Sequence, residues 1–143
     1  MGEVMGVQRF RVRYNEADPM GITYYATYFD WFTLGRTELL RDAGLPYAEL
    51  ERQGLLLPVL EARCRYVSPT RYDDLIRLET ALTACTRTRM SFRYRVVREG
   101  SPERLAVEGE THHAFIDSKY KPIDVMKRYP QVWERLHKLL MTS

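Results

Sequence analysis

The segment Asn15-Glu16-Ala17-Asp18-Pro19-Met20-Gly21-Ile22-Thr23-Tyr24-Tyr25 joins an alternating stretch to a long helical pattern. Asp18 precedes a proline and a glycine at this junction, where the N–H groups of a first helical turn lack partners and favour negative charge. A carbonyl oxygen set against those groups would be polarised, and an oxyanion formed from it would be held. A carboxylate beside such a site can act as nucleophile or general base, so the pair has the two parts that thioester cleavage needs, without metal or cofactor. The same letters fit a plain structural role, with Asp18 as a helix N-cap and Gly21 as a turn glycine. Spacing alone leaves both open.

Other chemistries are excluded by what is missing. There is no G-x-S-x-G, G-x-G-x-x-G or G-x-x-x-x-G-K motif. His112 and His113 are neighbours on a strand pattern, so they point to opposite faces and cannot share one metal ion. His137, between Arg135 and Lys138, is expected on a solvated surface. Cys64 and Cys85 form no CxxC pair and read as reduced thiols of a cytosolic chain.

The net charge of +3 is too small to announce nucleic-acid binding. Nine arginines between Arg63 and Arg98 face three acidic residues, Asp73, Asp74 and Glu79. They read as solvated strand faces, with an anionic partner as the alternative. No apolar run approaches the roughly 18 residues of a membrane helix. Met1–Gly6 lacks the order of a signal peptide, so a soluble cytoplasmic protein without membrane contact is expected.

The elements that must position Asp18 follow from periodicity. Val7–Tyr14 alternates as a strand, with Phe10, Val12 and Tyr14 on one side. Tyr25, Tyr28, Phe29, Phe32, Gly35, Leu39 and Ala43 recur at helical spacing, and Gly44 and Pro46 supply a stop. Tyr24, Trp31 and Leu34 widen that stripe, predicting a buried helix, and Gly35 would let its axis approach a sheet. A short helix over Pro46–Gln53 comes next. Four alternating segments follow, Leu55–Val67, Leu75–Cys85, Met90–Val97 and Leu105–Asp117, with breaks too short for crossover helices, so neighbours should be antiparallel. Pro130 opens a last helix with Val132, Leu136, Leu139 and Leu140 on its apolar side. The 143 residues, 45% hydrophobic, suffice for one domain, read as 1–143. An α+β fold results, its curved sheet wrapped round the long helix.

Asp18-x-x-Gly21-x-x-Tyr24-Tyr25, followed by Tyr28-Phe29-Asp30-Trp31-Phe32 and Arg36, resembles the signature of the 4-hydroxybenzoyl-CoA thioesterase family of hotdog-fold proteins. The likeness runs through Pro58-Val59 and Tyr66 to Asp117. It implies a five-stranded antiparallel sheet of order 1-3-4-5-2 around the long helix, a C-terminal helix, and a homodimer or homotetramer joined edge to edge. It also implies an acyl-CoA substrate, Asp18 as catalytic carboxylate, and backbone N–H groups near Tyr24 and Tyr25 that polarise the thioester carbonyl, beside Gly21. Where many relatives carry histidine this chain has Tyr25, whose hydroxyl would orient the acyl group or whose ring would pack in the core. Arg87 and Arg89, in the turn between the third and fourth strands, would bind the coenzyme's phosphates, with Thr88 and Ser91 near the thioester end. A thioesterase acting on acyl carrier protein, docked by Arg63, Arg65 and Arg93, is the close alternative. A non-catalytic acyl-CoA-binding module is the other.

Overall fold

The computed structural model describes residues 6–141. The reading of Met1–Gly6 therefore lies outside the described residues, Gly6 apart. In chain order the elements are β1 (Gly6–Arg11), a 3-10 turn (Tyr14–Glu16), α1 (Thr27–Asp42), α2 (Tyr47–Arg52), β2 (Val59–Tyr66), β3 (Leu75–Cys85), β4 (Arg89–Arg98), β5 (Arg104–Ala114), α3 (Val125–Arg128) and α4 (Pro130–Met141). The strands form one antiparallel sheet of order β1-β3-β4-β5-β2, the hotdog order that the resemblance implied.

α1 buries Tyr28, Trp31, Phe32, Gly35, Arg36, Leu39 and Leu40, the stripe that helical spacing predicts. Its other side is open to solvent in the single chain, with Leu34 exposed. At Gly35 a Cβ would collide with Thr80 Oγ1 on β3, so the glycine sets how closely helix and sheet approach. Gly109 on β5 leaves its space to the Phe32 ring, which stacks on Tyr94 at 4.3 Å. Gly44, at φ +80, ends α1: its N–H bonds Arg41 O at 3.0 Å and the Leu45 N–H bonds Leu40 O at 2.8 Å, satisfying carbonyls that the helix leaves open.

Four boundaries differ by more than one residue from the sequence expectation, and one is the end of β5, at Ala114 rather than Asp117. β1 stops at Arg11, and Tyr14 is exposed on the 3-10 turn. α1 starts at Thr27 because the Thr23 and Tyr24 N–H groups bond Thr70 O and Glu16 O, each at 2.8 Å, and so cannot open a helix. β2 starts at Val59, after a proline that has no N–H for the ladder; Leu55 and Leu57 before it are buried in the core.

The arginine-rich strands face outward as expected, but their charges are answered. Arg65 meets Glu108 at 2.6 Å, Arg95 meets Glu79 at 2.8 Å, Arg77 meets Glu103 at 3.0 Å, and Arg63 pairs with Glu110. Most of these glutamates lie beyond the stretch in which the arginines were counted. His112 and His113 do occupy opposite faces: His113 is fully buried and His112 is half-buried on the outer face. His137 is not simply solvated. Its ring lies 4.0 Å from that of Trp133, and its Nδ1 is buried.

Candidate active site

The loop between β1 and α1 closes on itself as a small hairpin. Ala17 and Thr23 form an antiparallel bridge, the Asp18 N–H bonds Ile22 O at 2.8 Å and the Gly21 N–H bonds Asp18 O at 2.9 Å. Gly21 stands at φ +81, where a side chain is strained, so the turn-glycine reading holds for its backbone. Asp18 does not cap α1. The N-cap position is Ala26, and the Asp18 carboxylate instead accepts the Met20 N–H through Oδ1 at 2.9 Å. Its Oδ2 has no partner among the described residues, and the side chain is half-buried.

Glu16 fastens this hairpin at both ends. Its Oε1 accepts the Arg13 N–H at 2.7 Å and its Oε2 accepts the Trp31 indole N–H at 3.0 Å. On the far side, Thr23 Oγ1 lies 2.6 Å from Thr70 Oγ1, and the Tyr28 hydroxyl lies 2.8 Å from the same atom. Burial pushes the Tyr28 phenol up, the threonine hydrogen bonds opposing it, and the hydroxyl stays protonated. Neither Glu16 nor Thr70 was singled out from sequence. No local pattern marks either: Thr70 is buried between the exposed Pro69 and Arg71.

Of the amides expected to polarise a carbonyl, that of Tyr24 is committed to Glu16 O at 2.8 Å. The Tyr25 and Ala26 N–H groups have no acceptor among the described residues. Two adjacent free donors thus precede α1, in the chain segment that carries Asp18. The Tyr25 ring is 61% exposed, which rules out core packing, and it lies 4.8 Å from the Tyr24 ring. Tyr25 also lines a cleft of about 360 Å3 with Ile22, Tyr28, Tyr66, Val67 and Pro69. Trp31 and Phe32, the other aromatic candidates, are buried in the core. A larger hollow of about 580 Å3 lies beside Ala43, Glu134, Arg135 and Lys138; it holds none of the candidate side chains, and chemistry rather than volume assigns the site.

The remaining candidates lie elsewhere. β3 runs from beside the Asp18 hairpin, whose Thr23 N–H bonds Thr70 O, to the Thr86–Arg89 turn. Its 11 residues separate the two ends by about 33 Å. Arg87 Nε pairs with Asp124 at 3.0 Å, and Thr88 O accepts the Phe115 N–H at 3.1 Å. Arg89 lines an outer-face cleft with Leu60, Glu61, Ser91 and His112, where Ser91 Oγ is 2.6 Å from His112 Nδ1. One chain therefore does not bring Arg87, Thr88, Arg89 or Ser91 to Asp18. Among the described residues no group of three or more His, Cys, Asp or Glu could hold a metal ion. No helix among them is long and apolar enough to cross a membrane.

Residues 12–132 match the thioesterase-like superfamily. Fold, loop and match agree, and the chain belongs to that superfamily as a thioesterase of hotdog fold. It is similar to the acyl-CoA thioester hydrolase YbgC of Escherichia coli, 30% identical over 113 residues that span 78% of this chain and 83% of that protein. It is 25% identical over 110 residues to the 4-hydroxybenzoyl-CoA thioesterase of a Pseudomonas species, spanning 73% of this chain and 78% of that protein. Among solved structures it is similar to the DHNA-CoA thioesterase of Staphylococcus aureus, with a TM-score of 0.90, 27% identity, and coverage of 96% of this chain and 91% of that one.

Proposed function

We propose that this protein hydrolyses acyl thioesters of coenzyme A in the cytoplasm, with Asp18 as the catalytic carboxylate and the Tyr25 N–H as the group that polarises the thioester carbonyl. The observation that carries this reading is the joint placement of an unpaired carboxylate oxygen, Asp18 Oδ2, and a free backbone donor at Tyr25, in one hydrogen-bonded loop beside an aromatic cleft. Asp18 either attacks the carbonyl carbon, expelling the coenzyme thiolate and leaving a mixed anhydride for water to cleave, or takes a proton from the attacking water. In both routes the developing oxyanion faces the Tyr25 N–H. The relatives named for acyl-CoA hydrolysis support the same substrate class.

Coenzyme binding requires a second copy. β2 is a sheet edge whose Val59 and Leu60 are exposed, and such edges are seldom left open. The Tyr66 end of β2 adjoins the Asp18 loop, because Tyr66 bonds Tyr25 O. The Leu60 end adjoins Arg89. Two copies pairing antiparallel along β2 would set the Asp18 loop of one beside the Arg87–Ser91 segment of the other. The phosphates would then lie against Arg89, and the thioester at Asp18. An acyl carrier protein is a poorer fit, since Arg63 and Arg65 are engaged by Glu110 and Glu108.

Asp18→Asn tests the reading. Asparagine keeps an oxygen that can accept the Met20 N–H, so the turn survives, while nucleophile and base are lost. kcat should fall by about 10² to 10⁴ with KM little changed. Retention of more than about a tenth of wild-type kcat would remove Asp18 as the catalytic carboxylate.

A further inference from the structure

We infer that Tyr66 is a positioning residue of this site: its hydroxyl, bonded to the Tyr25 carbonyl at 2.9 Å, fixes the Ala26 N–H, which stands beside the Tyr25 N–H as a second donor to the oxyanion. The inference rests on the reading of the Tyr25 N–H given above and adds a second donor, the Ala26 N–H, with the residue on another strand that governs it.

Three consecutive peptide groups lead into α1, and each is held by one bond. The Tyr24 N–H donates to Glu16 O at 2.8 Å, and the Tyr24 carbonyl accepts the Thr27 N–H at 2.9 Å. The Tyr25 carbonyl accepts the Tyr66 hydroxyl. The first two bonds are backbone to backbone, so only the third comes from a side chain. Without it the Tyr25–Ala26 peptide could turn about its flanking dihedrals and the Ala26 N–H would lose its direction, while the Tyr25 N–H stays fixed by the Thr27 bond to the Tyr24 carbonyl.

The bond also acts electronically. A donor placed on the Tyr25 carbonyl draws electron density from the amide and strengthens the Ala26 N–H of the same peptide as a donor, as in hydrogen-bond chains generally. The hydroxyl is suited to this because partial burial and then the Cys64 thiol push its phenol up, so it remains an O–H donor. Its ring is held 5.7 Å from that of Tyr28 at an edge-on 68°, and the Tyr28 hydroxyl is itself tied to Thr70. Tyr66 belongs to β2, the edge proposed to carry the second copy, so the strand that would join two chains also orders the Ala26 donor at the thioester.

Tyr66→Phe removes one oxygen and keeps the ring, at a position 48% exposed, so the fold survives. The expected result is a kcat lower by about tenfold, less than the roughly hundredfold or more for loss of an oxyanion donor itself, with KM within about twofold of wild type. Two coenzyme A analogues separate positioning from plain support. A trifluoromethyl ketone, whose hydrate mimics the tetrahedral oxyanion, should bind the variant about tenfold more weakly, whereas a thioether without the carbonyl should bind unchanged. Equal weakening of both analogues, or wild-type kcat in a variant preparation whose Asp18→Asn counterpart is inactive, overturns the role of Tyr66 alone. A wild-type protein that hydrolyses no acyl-CoA overturns the underlying reading and this one with it.

Discussion

The indole N–H of Trp31, buried one turn into α1, donates to Oε2 of Glu16 at 3.0 Å. The other oxygen of the same carboxylate accepts the Arg13 N–H at 2.7 Å, so one side chain fastens the Asp18 hairpin to both the strand exit and the helix. Glu16→Gln has one acceptor oxygen for two N–H donors, and either amide orientation sets NH2 against N–H. A loss of about 1 to 3 kcal/mol is expected, together with a lower kcat. In a Trp31→Phe background the second donor is gone, so the same substitution should cost much less. Urea unfolding of the four proteins in this cycle measures the coupling, and additive losses would contradict it.

Arg87 and Arg89 differ in what each is free to do. The Arg87 guanidinium pairs with Asp124, whereas Arg89 opens on the outer-face cleft. Arg89→Ala should raise KM for acyl-CoA with kcat unchanged, since it would grip phosphate remote from the carbonyl; Arg87→Ala should do so less. If the site is shared between two chains, a mixed dimer of Asp18→Asn with Arg89→Ala regains one fully intact site. Its KM should match wild type at about half the activity of a two-site dimer, as follows from uniform binding at the intact site. A mixed dimer that shows only the raised KM would place both residues in one chain's site.

Strand direction and the long helix were legible in the sequence, because alternation and helical spacing report which side chains leave water, whereas the sheet order came only with the family resemblance. Tyr28, Phe32, Leu39 and Leu40 are buried as the period requires. The loop was less legible. Its geometry depends on bonds to Thr70 and Tyr66, partners 47 and 41 residues distant in sequence, and no local pattern announces those. For the same reason the start of α1 was read too early: Tyr24 and Tyr25 fit the helical stripe by type, but Glu16 and Thr70 take the amides of Tyr24 and Thr23. The pairing of outward arginines with Glu108 and Glu110 likewise needs the register of β2, β4 and β5.

Gly35 offers a test of helix-to-sheet distance. In an isolated helix Gly→Ala gains about 1 kcal/mol, but here the added methyl would meet Thr80 Oγ1. Gly35→Ala should therefore lower the melting temperature. Thr80 Oγ1 is buried without a hydrogen-bond partner, so Thr80→Ala removes an unsatisfied group at little cost. The double variant should recover most of the loss, leaving only the tight approach to Leu78. A stabilised single variant would mean that the helix can lift away from β3.

His113 closes a buried chain of hydrogen bonds whose direction is set by its ends. Leu57 O can only accept, so His113 carries its proton on Nδ1, 3.1 Å away. Nε2 then accepts from Thr111 Oγ1 at 2.8 Å, Thr111 accepts from the Tyr94 hydroxyl at 2.6 Å, and Tyr94 accepts from Arg36, which can only donate. A second proton on His113 would face the Thr111 hydroxyl hydrogen, which would have to turn away from Nε2 and give up the bond it donates there. Burial first, then the positive charge of Arg36, holds the imidazole down at about 4 against an ordinary 6.5. Between these values the unfolded chain binds a proton that the folded chain refuses, so stability is full above pH 6.5 and falls as the pH drops toward 4. The loss attributable to this residue should reach about 3 kcal/mol, at 1.36 kcal/mol per unit of displacement. His113→Gln has no group to titrate there. It should be less stable than wild type at neutral pH, yet show a flatter decline in urea midpoint through this window; an equally steep decline would assign the acid sensitivity to other groups.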